Sequence, residues 1–243
     1  MPKLGQYKWI LDIVFFLYEN RKDAEMGKKS GGTGFLVAIP SKRWPQQIHH
    51  IHGVTNWHVA VHGAPPAPVI RVNRLSGAPE VFELDPSEWI FKPGSYDVAI
   101  SPPLDLRPGL HKVEAVDISV FLTPEVAAKQ EINAADDVFM VGRFVDYDGV
   151  EANSPAFRFG HISIIDARVK QETGYAGRSI VVDMHSRSGF SGSPVFVFRT
   201  AGSMFFEGKR DGKATLVRRR GGAPGGAGPY VIGLARLESG RPG

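Results

Sequence analysis

A histidine, an aspartate and a serine occur in this order at places where strands and turns are predicted to meet. His58 closes an apolar run, and Asp97 comes directly before another, at residues 98–100 (VAI). Ser191 lies in a glycine-rich turn at residues 188–195 (SGFSGSPV), where successive amides can point at one oxygen. Amide cleavage by a serine needs a nearby base, an acid that orients the base, and N–H donors for the oxyanion. The pattern predicts Ser191 as nucleophile, His58 as general base and Asp97 as orienting acid.

The segment at residues 31–37 (GGTGFLV) adds another short motif ahead of the histidine run. Together with the order and intervals of His58, Asp97 and Ser191, it resembles the trypsin-like (chymotrypsin-fold) serine peptidases. It is most similar to the bacterial catalytic domains of the Deg/HtrA kind, here without a PDZ domain, and the resemblance extends over about residues 31–237. It implies a hydrolase that cleaves a protein or peptide substrate through an acyl-enzyme intermediate, with no cofactor.

The resemblance also implies the fold and the oxyanion hole. The family fold is all-β, with two six-stranded antiparallel β-barrels and the active site in the cleft between them. The base, His58, would lie on one barrel and the nucleophile, Ser191, on the other. The backbone N–H groups of Gly189 and Ser191 would form the oxyanion hole.

The residues that the resemblance assigns to the substrate pocket include no acid. They are His185 and Ser186 at the floor, and Ala235, Arg236 and Leu237 at the far wall. Without a carboxylate at the floor, the pocket has nothing to hold a lysine or arginine side chain. We therefore expect an acidic or amide side chain before the cleaved bond.

Phe190 stands directly before the nucleophile, where many relatives carry an acidic or amide residue. Its side chain therefore needs apolar cover. Digestive relatives bury a newly cut N-terminal amine against an aspartate at this position, and a phenyl ring cannot pair with an ammonium group. We expect protein that begins at Met1 to be active without N-terminal processing.

The composition predicts an all-β architecture around these residues. In a chain of 243 residues that is 42% hydrophobic, 28 glycines and 18 prolines separate short apolar runs. Such punctuation indicates short strands joined by tight turns. Strands are predicted at residues 34–39, 54–59, 69–72, 81–84, 98–100, 116–122, 138–144, 157–165, 179–184, 195–198 and 230–237.

The turn at residues 107–109 divides these runs into two lobes. We predict an N-terminal extension or first strand at residues 1–30, an N-terminal β-barrel at 31–110 and a C-terminal β-barrel at 111–243. The second barrel carries a basic, glycine-rich insertion at 199–229, which is expected to be a mobile surface loop. The last residues read as an unfinished tail, which leaves a fused downstream domain or an associated regulatory protein open.

Charge and cysteine content narrow the partners and the compartment. The net charge is +4, part of it in residues 209–220 (KRDGKATLVRRR), where no aromatic residue is interleaved, so nucleic-acid binding is not expected. The chain has no cysteine, which excludes disulfides and thiolate metal sites and favours the cytoplasm.

The apolar run at residues 9–18 is too short to cross a membrane. His49, His50 and His52 alternate between strand faces and have no carboxylate beside them, which favours a solvated hairpin over a metal site.

Two other classes of function stay open. A binding module on the same fold could hold a partner in the cleft or on the basic insertion, although the complete set of His58, Asp97 and Ser191 argues against it. A self-limited protease could act on one associated partner. The leading prediction is a serine endopeptidase.

Overall fold

The computed structural model describes residues 4–94, 96–144, 151–170, 176–184, 189–198, 205–210, 213–218 and 230–234. Strands dominate these residues, so the all-β prediction is confirmed at the level of fold class. No helix in this part of the chain is long and apolar enough to cross a membrane. The strands are β1 Val14–Tyr18, β2 Ser30–Pro40, β3 His49–Thr55, β4 Val69–Asn73, β5 Pro79–Phe82, β6 Ile90–Phe91, β7 Ala99–Pro103, β8 Val116–Asp117, β9 Asp137–Arg143, β10 Pro155–Lys170, β11 Ala176–Met184, β12 Pro194–Val197, β13 Phe205–Arg210, β14 Lys213–Arg218 and β15 Tyr230–Leu234; the α-helices are α1 Arg21–Met26, α2 Trp57–Ala60 and α3 Pro124–Lys129.

The first sheet has the strand order β5-β4-β1-β2-β3-β7-β6, and β8 pairs with β2 beside this path. Its interior strand β1 (VFFLY) is buried on both faces, which explains an apolar run without alternation. Because β1 pairs with both β2 and β4, the predicted boundary at residue 31 falls inside this sheet. Val116, predicted in the second lobe, pairs instead with Val37 of the first sheet in a parallel ladder.

The second sheet has the order β11-β10-β9-β12-β15, and β13 and β14 form a separate two-stranded ladder. That ladder lies within the insertion at 199–229, which was expected to be a loop. Its register runs from Phe205 opposite Arg218 to Arg210 opposite Lys213. Residues 205–210 and 213–218 of the insertion therefore form a regular antiparallel ladder.

The prediction of two six-stranded barrels needs correction. In the described residues the sheets contain eight, five and two strands, and neither large sheet closes on itself. In the first sheet, β6 has only two residues, and both pair with β7. No ladder joins the two edge strands, β5 and β6.

The strand β9 links the apolar cores of the two sheets. Its residues Val138 and Met140 belong to a cluster formed within the second sheet. Phe139 on the opposite face belongs to a cluster that also contains Phe16 and Phe35 of the first sheet. This shared cluster packs the two sheets together, so residues from both can contribute to one site.

Candidate active site

His58 lies in the short helix α2, which begins two residues after β3 ends. The prediction of a strand over residues 54–59 is therefore wrong beyond Thr55. Asn56 occupies the N-cap position, but its side chain makes no capping hydrogen bond. Its amide instead donates to the backbone oxygen of Asp97 at 2.9 Å. This bond ties the start of α2 to the segment before β7.

The pairing of β3 with β7 brings Asp97 next to His58. Thr55 lies opposite Ala99 in this antiparallel ladder, so the residues that follow Thr55 face those that precede Ala99. Asp97 Oδ2 lies 2.6 Å from His58 Nδ1, and Asp97 Oδ1 accepts the backbone N–H of His58 at 2.9 Å. The Asp97 side chain is 7% exposed and that of His58 is 29% exposed.

This arrangement fixes the proton on one side of the imidazole. A carboxylate accepts hydrogen bonds and cannot donate them when ionised. The Asp97 carboxylate therefore holds the His58 proton on Nδ1 and leaves the Nε2 lone pair to accept another. A histidine in this state is suited to take a proton from a hydroxyl group.

Ser191 is half-buried in a tight turn that leads into β12. The glycines on either side, Gly189 and Gly192, have φ values of 95° and 86°. These are left-handed conformations that residues with a Cβ rarely adopt. A Cβ on Gly192 would also overlap the backbone oxygen of Thr33. The glycine-flanked serine in the sequence thus reflects the backbone that this turn requires.

The strand β2 contacts both the histidine segment and the serine turn. Thr33 donates its backbone N–H to the backbone oxygen of Ser191 at 2.9 Å. At the neighbouring position, a Cβ on Gly32 would lie 2.7 Å from Val59 Cγ1 and 3.1 Å from the same Ser191 oxygen. The structure therefore brings the segments that carry His58 and Ser191 to the same two residues of β2.

The peptide group before Ser191 has a fixed orientation. The backbone oxygen of Phe190 accepts the N–H of Ser193 at 2.9 Å. In a trans peptide the C=O and N–H groups point in opposite directions, so this bond also directs the N–H of Ser191. The N–H of Gly189, the other predicted oxyanion donor, belongs to the peptide shared with Ser188, which lies outside the described residues.

Phe190 has the apolar cover that its position requires, which confirms that prediction. Its side chain is fully buried in a cluster with Met140 and Val195. The guanidinium carbon of Arg158 lies 5.5 Å from the centre of the Phe190 ring and 4.9 Å from that of Phe144. The turn that carries Ser191 is thus anchored in the core of the second sheet, with a cation over the anchoring ring.

Comparison with known proteins bears on the fold. No protein-family profile and no curated protein sequence matches this chain. The apo structure of the MamO protease domain from Magnetospirillum magneticum is similar, with a TM-score of 0.51 and 15% identity over 87% of this chain and 94% of that domain. This chain has the protease-domain fold. Deg5 matches with a TM-score of 0.46 and 16% identity over 79% of this chain and 77% of its own. The structure of the HtrA-type protease AlgW with a decapeptide matches with a TM-score of 0.47 and 15% identity over 96% of this chain and 63% of its own.

The predicted resemblance to a protease domain is confirmed for the fold. The predicted pocket residues His185, Ser186, Ala235, Arg236 and Leu237 all lie outside the described residues. The expectation of an acidic or amide side chain before the cleaved bond therefore stays a prediction.

The histidine triplet, for which a solvated hairpin was the favoured interpretation, lies at the start of β3, which pairs antiparallel with the preceding strand β2. His49 and His50 are exposed and pair with β2 alone, whereas His52 is half-buried and also lies opposite Pro103 of β7. His52 Nδ1 lies 2.9 Å from the backbone oxygen of Ser101. The part of the chain that the structure describes contains no cluster of His, Asp or Glu side chains able to hold a metal ion.

Sequence reasoning missed the contribution of Thr33 to the site. Its motif was recognised as part of β2, but its side-chain partners Gly189 and Arg143 are 156 and 110 residues away in the chain. A threonine between glycines in a strand was the available signal, because small flanking residues indicate close approach of another backbone.

Proposed function

We propose that this chain is a serine endopeptidase with His58, Asp97 and Ser191 as its catalytic residues. The observation that carries the proposal is the pair of hydrogen bonds by which the Asp97 carboxylate holds both the ring and the backbone of His58. The protease-domain fold and the anchored glycine turn around Ser191 support it. The substrate is a protein or peptide.

In the proposed reaction, Ser191 Oγ attacks the carbonyl carbon of the peptide bond while His58 Nε2 takes the hydroxyl proton. The carbonyl oxygen becomes an oxyanion that the N–H groups of Ser191 and Gly189 stabilise. His58 then donates its proton to the leaving amine as the C–N bond breaks, which leaves an acyl-enzyme. A water molecule, deprotonated by His58, attacks the ester and releases the acid.

The two lobes divide these tasks. His58 and Asp97 follow and precede strands of the first sheet, whereas Ser191 leads into β12 of the second sheet. We place the active site in the cleft between a lobe built on the first sheet, which includes β1 and β8, and a lobe built on the second sheet. A chain without cysteine suits a reducing compartment, so the cytoplasm stays the predicted location.

The decisive experiment is labelling of folded protein with a fluorophosphonate, with the modified residue located by mass spectrometry. We expect one label at Ser191, and no label in Ser191→Ala or His58→Ala, because nucleophile and base act as a unit. His161→Ala is a matched control, since this exposed imidazole pairs with Asp137 on the second sheet. Folded wild-type protein that takes no label would overturn the proposal and favour a binding module on this fold.

A peptide library then tests the preference of the pocket. We expect cleavage after Asp, Glu, Asn or Gln. Cleavage after Lys or Arg would contradict this preference without affecting the assignment of Ser191. A protein that labels with fluorophosphonate but cleaves no library peptide would point to the self-limited protease, which acts on one associated partner.

A further inference from the structure

Thr33 uses every hydrogen-bonding group of its side chain and backbone to join distant segments. It is fully buried in β2. Its hydroxyl donates to the backbone oxygen of Gly189 at 2.7 Å and accepts the N–H of Arg143 at 3.2 Å. Its own N–H donates to the oxygen of Ser191, and its oxygen accepts the hydroxyl of Thr55 at 2.7 Å. One residue of the first sheet thus binds the serine turn on both sides of Phe190, at Gly189 and at Ser191.

Three consecutive carbonyl groups of that turn each have a fixed donor. The oxygen of Gly189 accepts the Thr33 hydroxyl, that of Phe190 accepts the N–H of Ser193, and that of Ser191 accepts the N–H of Thr33. Since each carbonyl fixes the plane of its peptide group, three successive peptide planes are held. Thr33 supplies two of the three donors.

The hydroxyl matters because of the residue that it holds. Gly189 has a φ of 95°, and a glycine rotates between backbone conformations more readily than any other residue. The peptide between Gly189 and Phe190 therefore needs a restraint from outside the turn. The Thr33 hydroxyl supplies that restraint from a strand whose own position is set by pairing with β1 and β3.

We propose that Thr33 is a positioning residue for the oxyanion hole, which keeps the turn at Gly189 and Ser191 in its reactive conformation. The proposal rests on the proposed function, because it concerns the same turn. It assigns Thr33 no contact with substrate. Its hydroxyl holds the Gly189–Phe190 peptide, which joins the two residues, Gly189 and Ser191, whose N–H groups are the proposed oxyanion donors.

Thr33→Val removes the hydroxyl and keeps the shape of the side chain, whereas Thr33→Ser keeps the hydroxyl and removes a methyl group. Thr123→Val is the matched control, because it makes the same exchange at another threonine. The Thr123 hydroxyl accepts the backbone N–H of Val126 at the N-cap of α3, outside the strands and the turn that carry His58, Asp97 and Ser191.

For each variant we would measure kcat, KM and the melting temperature, with active-site titration to count competent molecules. We expect Thr33→Val to lower kcat roughly ten- to a hundredfold, below the loss of about 10²–10³ that follows removal of an oxyanion donor. KM should stay within about threefold, because ground-state contacts are unchanged. Thr33→Ser should recover most of kcat, and Thr123→Val should lower the melting temperature through the lost helix cap without lowering kcat.

Equal kcat values in Thr33→Val and wild type would overturn the proposal, as would a loss that Thr123→Val reproduces. If Thr33→Val does not fold, Thr33→Ser and Thr33→Ala decide the matter, since only the serine variant should keep kcat near wild type. Failure of wild-type protein to react with fluorophosphonate is a different result, because it removes the proposed function itself.

Discussion

The carboxylate of Asp97 accepts two hydrogen bonds from a single residue, His58. One oxygen lies 2.6 Å from the ring atom Nδ1 and the other accepts the backbone N–H at 2.9 Å. The backbone bond matters because it can be satisfied only by an oxygen. It therefore dictates how any side chain of the same shape must sit at position 97.

Asp97→Asn should lower kcat by about 10⁴. The asparagine must keep its oxygen toward the backbone N–H of His58, which turns its NH₂ group toward Nδ1. That group donates, so the His58 proton moves to Nε2 and the base can no longer accept the serine proton. Steady-state kinetics of the purified variant measure the loss. Asp166→Asn, at a half-exposed carboxylate that pairs with Arg178, should retain wild-type kcat; a similar loss in both variants would contradict this account.

Gly32→Ala should lower kcat by roughly tenfold or more, because a misplacement of about 1 Å at a reactive site can cost about 10²-fold. The added methyl group would press against Val59, next to the base, and against the backbone oxygen of Ser191. Gly109→Ala is the control, since a Cβ there meets no atom within 4 Å. Unchanged kcat in a folded Gly32→Ala protein would show that this contact does not set the geometry of the site.

The sequence pattern indicated the pairing of His58 with Asp97, because short motifs at strand ends carry it. Antiparallel pairing of β3 with β7 then brings the two ends together. The helix α2 could not be predicted, since four residues contain barely one helical turn and show no periodicity. The role of Thr33 was equally hidden, because it depends on partners more than 100 residues away.

The sheet topology, too, could be predicted from the sequence only in part. Residues 1–30 were predicted only as an extension or first strand, and it is the pairing with β2 and β4 that makes β1 an interior strand of the first sheet. The strand β8 has two residues and lies parallel to β2, an arrangement without a local signature. Closed barrels were expected from the family fold, whereas the two-residue strand β6 leaves the first sheet open in the described residues.

Acid should destabilise the protein partly through Glu80. The side-chain hydrogen bond from Arg74 holds the pKa of the Glu80 carboxyl below its ordinary value, with a further hydrogen bond from His111 in the same direction. The Glu80 side chain is 25% exposed and that of His111 is 1% exposed. A depressed pKa in the folded state means that Glu80 stabilises the fold above its unfolded pKa, about 4.3 for glutamate. This contribution is lost as the pH falls through the lower, folded value.

The free energy of unfolding of Glu80→Gln should therefore be lower than that of wild type at neutral pH and converge with it in acid. Urea unfolding between about pH 7 and pH 3 measures the two curves. Asp105→Asn is the comparison, because the Asp105–Arg107 pair is largely exposed and screened by solvent. Parallel curves for wild type and Glu80→Gln across this range would rule out the linkage.

Reactivity of Ser191 should not depend on a free N-terminal amine. The Phe190 side chain is fully buried among apolar residues, and the guanidinium of Arg158 already lies over its ring. An ammonium group brought to this position would lose its hydration and meet a like charge, at a cost of several kcal/mol. Protein with an N-terminal tag, protein with a free Met1 and protein with an acetylated N-terminus should therefore react with a fluorophosphonate at the same rate. Reaction confined to protein trimmed to a new N-terminus would show that an amine orders this turn after all.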